Sequence, residues 1–302
     1  MSAVAAATAA AAGGARPLLE IDGLVKHYDL RRGLRRLVES AEGHTVRALD
    51  GVDLAVVRGE TLGVIGESGS GKTTLGRCAL GLVEPTSGTV RFEGRDLARL
   101  DPASAKALRR RMQIVFQDPY ASLNPRRTVE QIVGLGLAVH ERLDRAAARA
   151  RILAMLERVG LGAAHLDRYP HQFSGGQRQR IGIARALVLR PDFVVCDEPV
   201  SALDVSIQAQ ILALLRELKE ELGLTYLFIA HDLAVVAHVS DRVAVLYLGK
   251  LVELGPTRAV LEKPAHPYTR ALLAAVPRLD GRRRPGAGPR LSLINISETK
   301  RI

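Results

Sequence analysis

Residues Leu62-Gly63-Val64-Ile65-Gly66-Glu67-Ser68-Gly69-Ser70-Gly71-Lys72-Thr73-Thr74 run from an apolar strand, through a turn of glycine and serine, into a helix. Residues 66–73 fit the strand–GxxxxGK[ST]–helix pattern. Gly66, Gly69 and Gly71 tolerate positive φ and let backbone N–H groups close on phosphate oxygens. The helix that starts after Gly71 aims its dipole at the same anions. Ser68, Ser70 and Thr74 belong to the same cradle. Lys72 adds a point charge for the outer phosphates, and the Thr73 hydroxyl suits Mg²⁺. Alone, this stretch says nucleotide phosphate binding on a strand–loop–helix unit.

A second apolar strand, Phe193-Val194-Val195-Cys196, stops at Asp197-Glu198. Paired acids at the end of a buried strand need a cation or an arginine nearby. Asp197 is the candidate to hold Mg²⁺ through water. Glu198 is the candidate to polarise an attacking water.

Residues 173–178 read Phe173-Ser174-Gly175-Gly176-Gln177-Arg178 and lead into another helix. This is a second anion-binding helix start, so the chain has two phosphate-binding ends and one phosphate-loop lysine. Here the sequence resembles the ABC transporter ATPase family, whose signature is LSGGQ, with Phe173 in place of the leading leucine. In that family two subunits stack head to tail, and the signature of one closes over ATP held by the other. The resemblance implies roles for further residues. Gln117 fits the loop that senses Mg²⁺ and water, Ser201-Ala202-Leu203-Asp204 fits the D-loop, and His231 fits the switch histidine. Tyr28 stands where the family stacks an aromatic on adenine. Ser174, Gly175, Gly176, Gln177 and Asp204 then serve nucleotide across the dimer. The implied ligands are ATP and Mg²⁺.

Three stretches resemble the oligopeptide/dipeptide importer branch. They are Gln117 to Pro125 (QDPYASLNP), His266-Pro267-Tyr268-Thr269-Arg270 with the Ala271-Leu272-Leu273 that follows, and the Arg-rich insertion between Tyr28 and Ala48. Nickel and some sugar importers share parts of this pattern. The implied partners are membrane permease subunits, a second ATPase subunit (a paralogue or a second copy) and, indirectly, an extracytoplasmic solute-binding protein. The implied location is the cytoplasmic face of the membrane. A soluble ABC ATPase acting on DNA or the ribosome is the competing class. It is disfavoured because the chain lacks long coiled coils, zinc cysteines and a second cassette.

Composition agrees with this reading. The chain has 302 residues, 47% hydrophobic and 25% charged, close to a soluble globular average. Cys78 and Cys196 are too few for a disulfide scaffold or a four-cysteine zinc site, which favours a reduced compartment. The net charge of +11 would suit nucleic acid. However, residues 31–47 hold five Arg against Glu39 and Glu42, and residues 281–302 hold five Arg and a Lys against Glu298. The rest is nearly balanced, and no nucleic-acid partner is expected.

Strands alternate with helices and the core strands are apolar throughout, which predicts a mostly parallel sheet covered on both faces. With the resemblance, the expected fold is a P-loop NTPase (RecA-like) α/β core, with an N-terminal antiparallel β subdomain and an inserted α-helical subdomain near 120–180. Residues 1–16 are expected to be a disordered Ala-rich leader, 17–262 the ATPase domain and 263–302 a C-terminal extension. Helix is expected over 73–81, 177–189, 207–222 and 268–276, and residues 128–160 are rich in Ala, Leu and Arg at helical spacing with no proline. Small hairpins are expected at 88–97 and around Gly249-Lys250. Residues 291–302 match nothing in the family, and a truncated or aberrant end is expected there.

Overall fold

The computed structural model of the chain describes residues 16–29 and 45–275. The expected leader (Arg16 aside), most of the Arg-rich insertion and the tail lie outside the described residues. The strands are β1 (Pro17–Asp29), β2 (Thr45–Val57), β3 (Thr61–Ile65), β4 (Ser87–Phe92), β5 (Arg95–Asp96), β6 (Met112–Val115), β7 (Phe193–Asp197), β8 (Thr225–Ile229), β9 (Arg242–Tyr247) and β10 (Lys250–Pro256). They form two sheets. One has four strands in the order β2-β1-β4-β5, all antiparallel. The other has six in the order β10-β9-β3-β8-β7-β6, parallel from β9 to β6, with β10 antiparallel at one edge.

The apolar strands of the six-stranded sheet divide their side chains between two cores, as the period of two requires. Val194 and Cys196 of β7, Tyr226 and Phe228 of β8, and Val243 and Val245 of β9 face one core. Phe193 and Val195, Leu227 and Ile229, and Ala244 and Leu246 face the other, which is shared with the antiparallel sheet. A one-residue slip in any of these strands would exchange the two sets.

The helices are α1 (Lys72–Ala79), α2 (Pro102–Arg111), α3 (Pro119–Ser122), α4 (Val129–His140), α5 (Arg145–Arg158), α6 (Gly175–Leu187), α7 (Val205–Leu222), α8 (Leu233–Val239), α9 (Thr257–Glu262) and α10 (Pro267–Ala275). The helical spacing over 128–160 is divided between two helices, α4 and α5. Asp144 breaks it: its carboxylate accepts from Ala147 N at 2.7 Å and starts α5 afresh. Glu141, in the break, accepts a hydrogen bond from Arg151 at 2.6 Å and forms an ion pair with Arg110 at 2.9 Å. The sequence reading missed α2, although Asp101-Pro102 announces it. Asp101 accepts from Ala103 N and Ser104 N, with proline in the first turn.

Both expected hairpins are present, the second with its turn one residue earlier than Gly249-Lys250, because Lys250 already pairs with Tyr247. Glu93 and Gly94 turn β4 into β5 with φ 50° and 78°, and Leu248 and Gly249 turn β9 into β10 with φ 49° and 80°. Positive φ at both central residues matches the right-handed twist of the strands. Among the described residues, no helix is long and apolar enough to cross a membrane.

Candidate nucleotide site

In a parallel sheet, ligands bind beyond the carboxyl ends of the strands. β3, β8, β7 and β6 are neighbours in that order. Their ends deliver Gly66, His231, Asp197 with Glu198, and Gln117 to one edge.

The loop after β3 is tightly enclosed. A Cβ on Gly66 would lie 2.2 Å from the Leu246 carbonyl oxygen, and one on Gly71 would lie 2.3 Å from that of Ala48. Their φ values are 151° and 106°. Both positions therefore require glycine. The Lys72 side chain is 5% exposed as a residue, and its Nζ donates to the carbonyls of Gly66 at 2.7 Å and Glu67 at 2.8 Å. Burial lowers its pKa, while Glu198, Asp197 and Glu67 oppose that shift. The Ser70 hydroxyl is buried and without a hydrogen-bond partner. A buried cationic donor and an orphan hydroxyl in a glycine cradle at a helix start fit a polyphosphate.

Thr73 donates its hydroxyl to Asp197 Oδ1 at 3.0 Å. Asp197 is 4% exposed. Burial raises its pKa, against the pull of the Thr73 hydrogen bond and Arg77. No group of three His, Cys, Asp or Glu that could hold a metal occurs among the described residues. The one carboxylate and one hydroxyl here suit Mg²⁺, which commonly takes few protein ligands and completes its shell with phosphate and water.

Glu198 carries φ 47°, a left-handed backbone that costs a non-glycine residue about 1–3 kcal/mol. Its N–H donates to the Ile229 carbonyl at 3.0 Å, and its carbonyl accepts the Ser201 hydroxyl at 3.1 Å. The bend turns its carboxylate toward two partners. Gln117 Nε2 donates to Glu198 Oε2 at 3.0 Å, and His231 Nδ1 lies 3.1 Å from the same oxygen.

The structure thus brings together Lys72 with Gly66, Thr73 with Asp197, and Gln117 with Glu198 and His231. Gly69 has φ 79°, and Ser68 is exposed at the tip of the loop; Thr74 is half-buried on the first turn of α1. Tyr28 is 37% exposed at the end of β1 and pairs with Val46. Lys26 Nζ lies 5.0 Å from its ring centre. Val46 is two residues before Ala48, whose carbonyl oxygen faces Gly71.

Ser174 lies apart from that cluster in its bonding. It caps α6, accepting from Gln177 N at 3.3 Å while its own N–H donates to Gln177 Oε1 at 3.1 Å. Ser174 and Asp204 are both exposed, and Val205 beside Asp204 is 81% exposed. A Cβ on Gly176 would meet Ile207 Cγ2 at 2.6 Å, so this glycine is needed to pack α6 on α7. The helix begins at Gly175, two residues before the expected start, because the Ser174 cap admits the glycines into its first turn.

One contact was not foreseen. The hydroxyl oxygen of Tyr268, on α10, accepts the Glu67 N–H at 3.0 Å. Tyr268 lies in the His266–Arg270 stretch already noted in the sequence, but no local pattern announces this partner.

The profile of the ABC transporter family matches residues 49–201, a span that holds the phosphate loop, the signature and the acidic strand end. The chain belongs to the ABC transporter family. The profile of the oligopeptide/dipeptide transporter C-terminal region matches residues 252–300 of this ABC ATPase. That corrects the reading of this end as unmatched over residues 291–300. The ATPase is 51% identical over 265 residues to the dipeptide transport ATP-binding protein DppF of Escherichia coli, covering 88% of this chain and 78% of the relative. It is 52% identical over 265 residues to the oligopeptide transport ATP-binding protein OppF of the same organism, covering 87% and 79%. Among solved structures it is similar to CbiO1 of Clostridium perfringens, part of an ABC transporter complex, with TM-score 0.68, 30% identity and coverage of 82% and 91%. It is also similar to a dimeric post-hydrolysis ATP-binding cassette holding ADP and phosphate, with TM-score 0.69, 30% identity and coverage of 80% and 99%.

Proposed function

We propose that this ABC ATPase is the ATP-hydrolysing subunit of a membrane importer for peptides. The observation that carries the peptide reading is the oligopeptide/dipeptide C-terminal region at residues 252–300, joined to a full set of ATPase motifs. ATP lies with its phosphates over Gly66 to Thr74 and its base against Tyr28. Lys72 turns from the loop carbonyls to the outer phosphates. Thr73 and Asp197 would hold Mg²⁺, which would supply positive charge against the transferred phosphoryl group. Glu198 accepts a proton from the attacking water. Gln117 and His231 orient its carboxylate.

Ser174 and the glycines after it meet the γ-phosphate of ATP held by a second ATPase subunit, either a paralogue or another copy. The exposed signature and the exposed Asp204-Val205 support this reading. Gln117 to Arg127, with the helices that follow, face permease subunits at the cytoplasmic side of the membrane. The test is purification of the tagged chain from membranes. A multi-span permease and a peptide-binding protein in the same complex are expected, with ATPase activity raised by peptide. Salt-sensitive recovery with nucleic acid instead would overturn the reading.

A further inference from the structure

The C-terminal helix reaches into the phosphate loop through one side chain. Tyr268 Oη accepts the Glu67 N–H at 3.0 Å. The Lys72 amine takes the other end of this residue, the Glu67 carbonyl, at 2.8 Å. Glu67 is therefore held from both sides, by a residue inside the motif and by one far outside it.

Tyr268 is itself fixed. Its ring lies against that of Tyr247, with centroids 4.2 Å apart. Its own N–H donates to His266 Nδ1 at 3.2 Å. The Glu253 carboxylate accepts the N–H groups of Ala265 and His266 at 2.8 and 3.1 Å and so anchors the start of α10. Thr269 is fully buried, and Leu272 and Leu273 pack on the core. The hairpin next to α10 also touches the loop, since Gly249 N donates to the Ser70 carbonyl at 3.0 Å.

We propose that Tyr268 is a positioning residue for the phosphate loop, and that ATP binding is linked through it to docking of α10. This rests on the reading that the loop holds ATP. When Lys72 leaves the carbonyls of Gly66 and Glu67 for phosphate, the loop loses two of its internal hydrogen bonds. The Tyr268 oxygen on the Glu67 N–H, together with the Ser70 N–H on the Glu67 carbonyl at 3.1 Å, then restrains this residue and keeps the cradle open. Because linkage is reciprocal, bound ATP must also hold α10 more firmly.

The test is Tyr268→Phe, which keeps the ring on Tyr247 and removes only the oxygen. Binding of fluorescent N-methylanthraniloyl-ATP and steady-state hydrolysis are measured, with hydrogen exchange of the peptides spanning Glu67 and α10. Losing one hydrogen bond should weaken ATP binding and raise KM by about three- to tenfold, with kcat little changed. The Glu67 amide should exchange faster, and ATP should protect α10 in the wild type and less so in the variant. Tyr268→Ala should shift the same readouts further. Wild-type ATP affinity and unaltered exchange in Tyr268→Phe would overturn the proposal. Wild-type protein that binds no ATP, or Lys72→Ala that binds it as tightly, would instead sink the phosphate-loop reading on which it rests.

Discussion

His231 Nδ1 lies 3.1 Å from Glu198 Oε2, the carboxylate oxygen that also accepts Gln117 Nε2 at 3.0 Å. The two partners follow β8 and β6, the strands on either side of β7, which supplies Glu198. One oxygen thus reports on three strands. Any water polarised by Glu198 sits beside groups whose placement depends on the whole edge of the sheet. Replacing His231 with Ala should lower hydrolysis by about 10²- to 10⁴-fold, the range for a group that aids proton transfer. ATP binding should stay near wild type, because His231 touches none of the loop amides. Single-turnover hydrolysis beside equilibrium binding separates the two effects.

The signature makes its own prediction. Asp caps a helix as well as Ser, so Ser174→Asp should keep α6 and leave thermal stability within about 0.5 kcal/mol. It also places a carboxylate at the helix start proposed to receive the partner's γ-phosphate. ATP-driven dimerisation should then fail, as read by light scattering with the hydrolysis-deficient subunit. Monomers that bind ATP normally are the expected product.

Much of this site was legible because its signals are local. Gly66 to Thr73, Ser174 to Gln177 and Asp197-Glu198 each carry their chemistry within a few residues. The parallel core could be read because its strands are apolar on both faces. Other features had weaker signals. The break between α4 and α5 has no proline or glycine to mark it, only the Asp144 cap. The Tyr268–Glu67 contact spans 201 residues, and no spacing rule covers such a pair. The separate roles of Gln117 and His231 were implied by family resemblance; their shared contact with Glu198 follows from the sheet order.

A charged cluster at the far end of β7 predicts acid sensitivity. Arg111 meets Glu93 at 2.6 Å and Asp192 at 2.5 Å, and Arg58 meets both acids. The hydrogen bond from Arg111 holds the Glu93 carboxyl below its ordinary pKa. Burial raises that of Asp192, but Arg111 and Arg58 outweigh it and the net shift is downward. A depressed folded pKa gives stability that is present above the ordinary carboxylate range and lost as pH falls through the folded value. Arg111→Met should therefore cost about 1 kcal/mol at neutral pH, a modest figure because solvent screens the cluster. The cost should fade as the medium becomes more acidic than an ordinary carboxylate. Urea unfolding across that range checks the sign.

The two cysteines should be inert in the native fold. Cys78 is 1% exposed and Cys196 is 0% exposed. Burial pushes the Cys78 thiol up to about 11 and raises that of Cys196 as well. The thiolate is the reactive form, so iodoacetamide at neutral pH should label neither in native protein and both after denaturation. Mass spectrometry of the alkylated chain gives the count.

In the proposed mechanism Glu198 acts on the water that attacks ATP. The most direct measurement is Glu198→Gln, assayed for ATP binding and hydrolysis in one preparation. The side chain keeps its size and loses its charge. Hydrolysis should fall by about 10²- to 10⁴-fold while ATP binding persists and the ATP-bound dimer accumulates. Near-normal turnover in Glu198→Gln would remove Glu198 as the base.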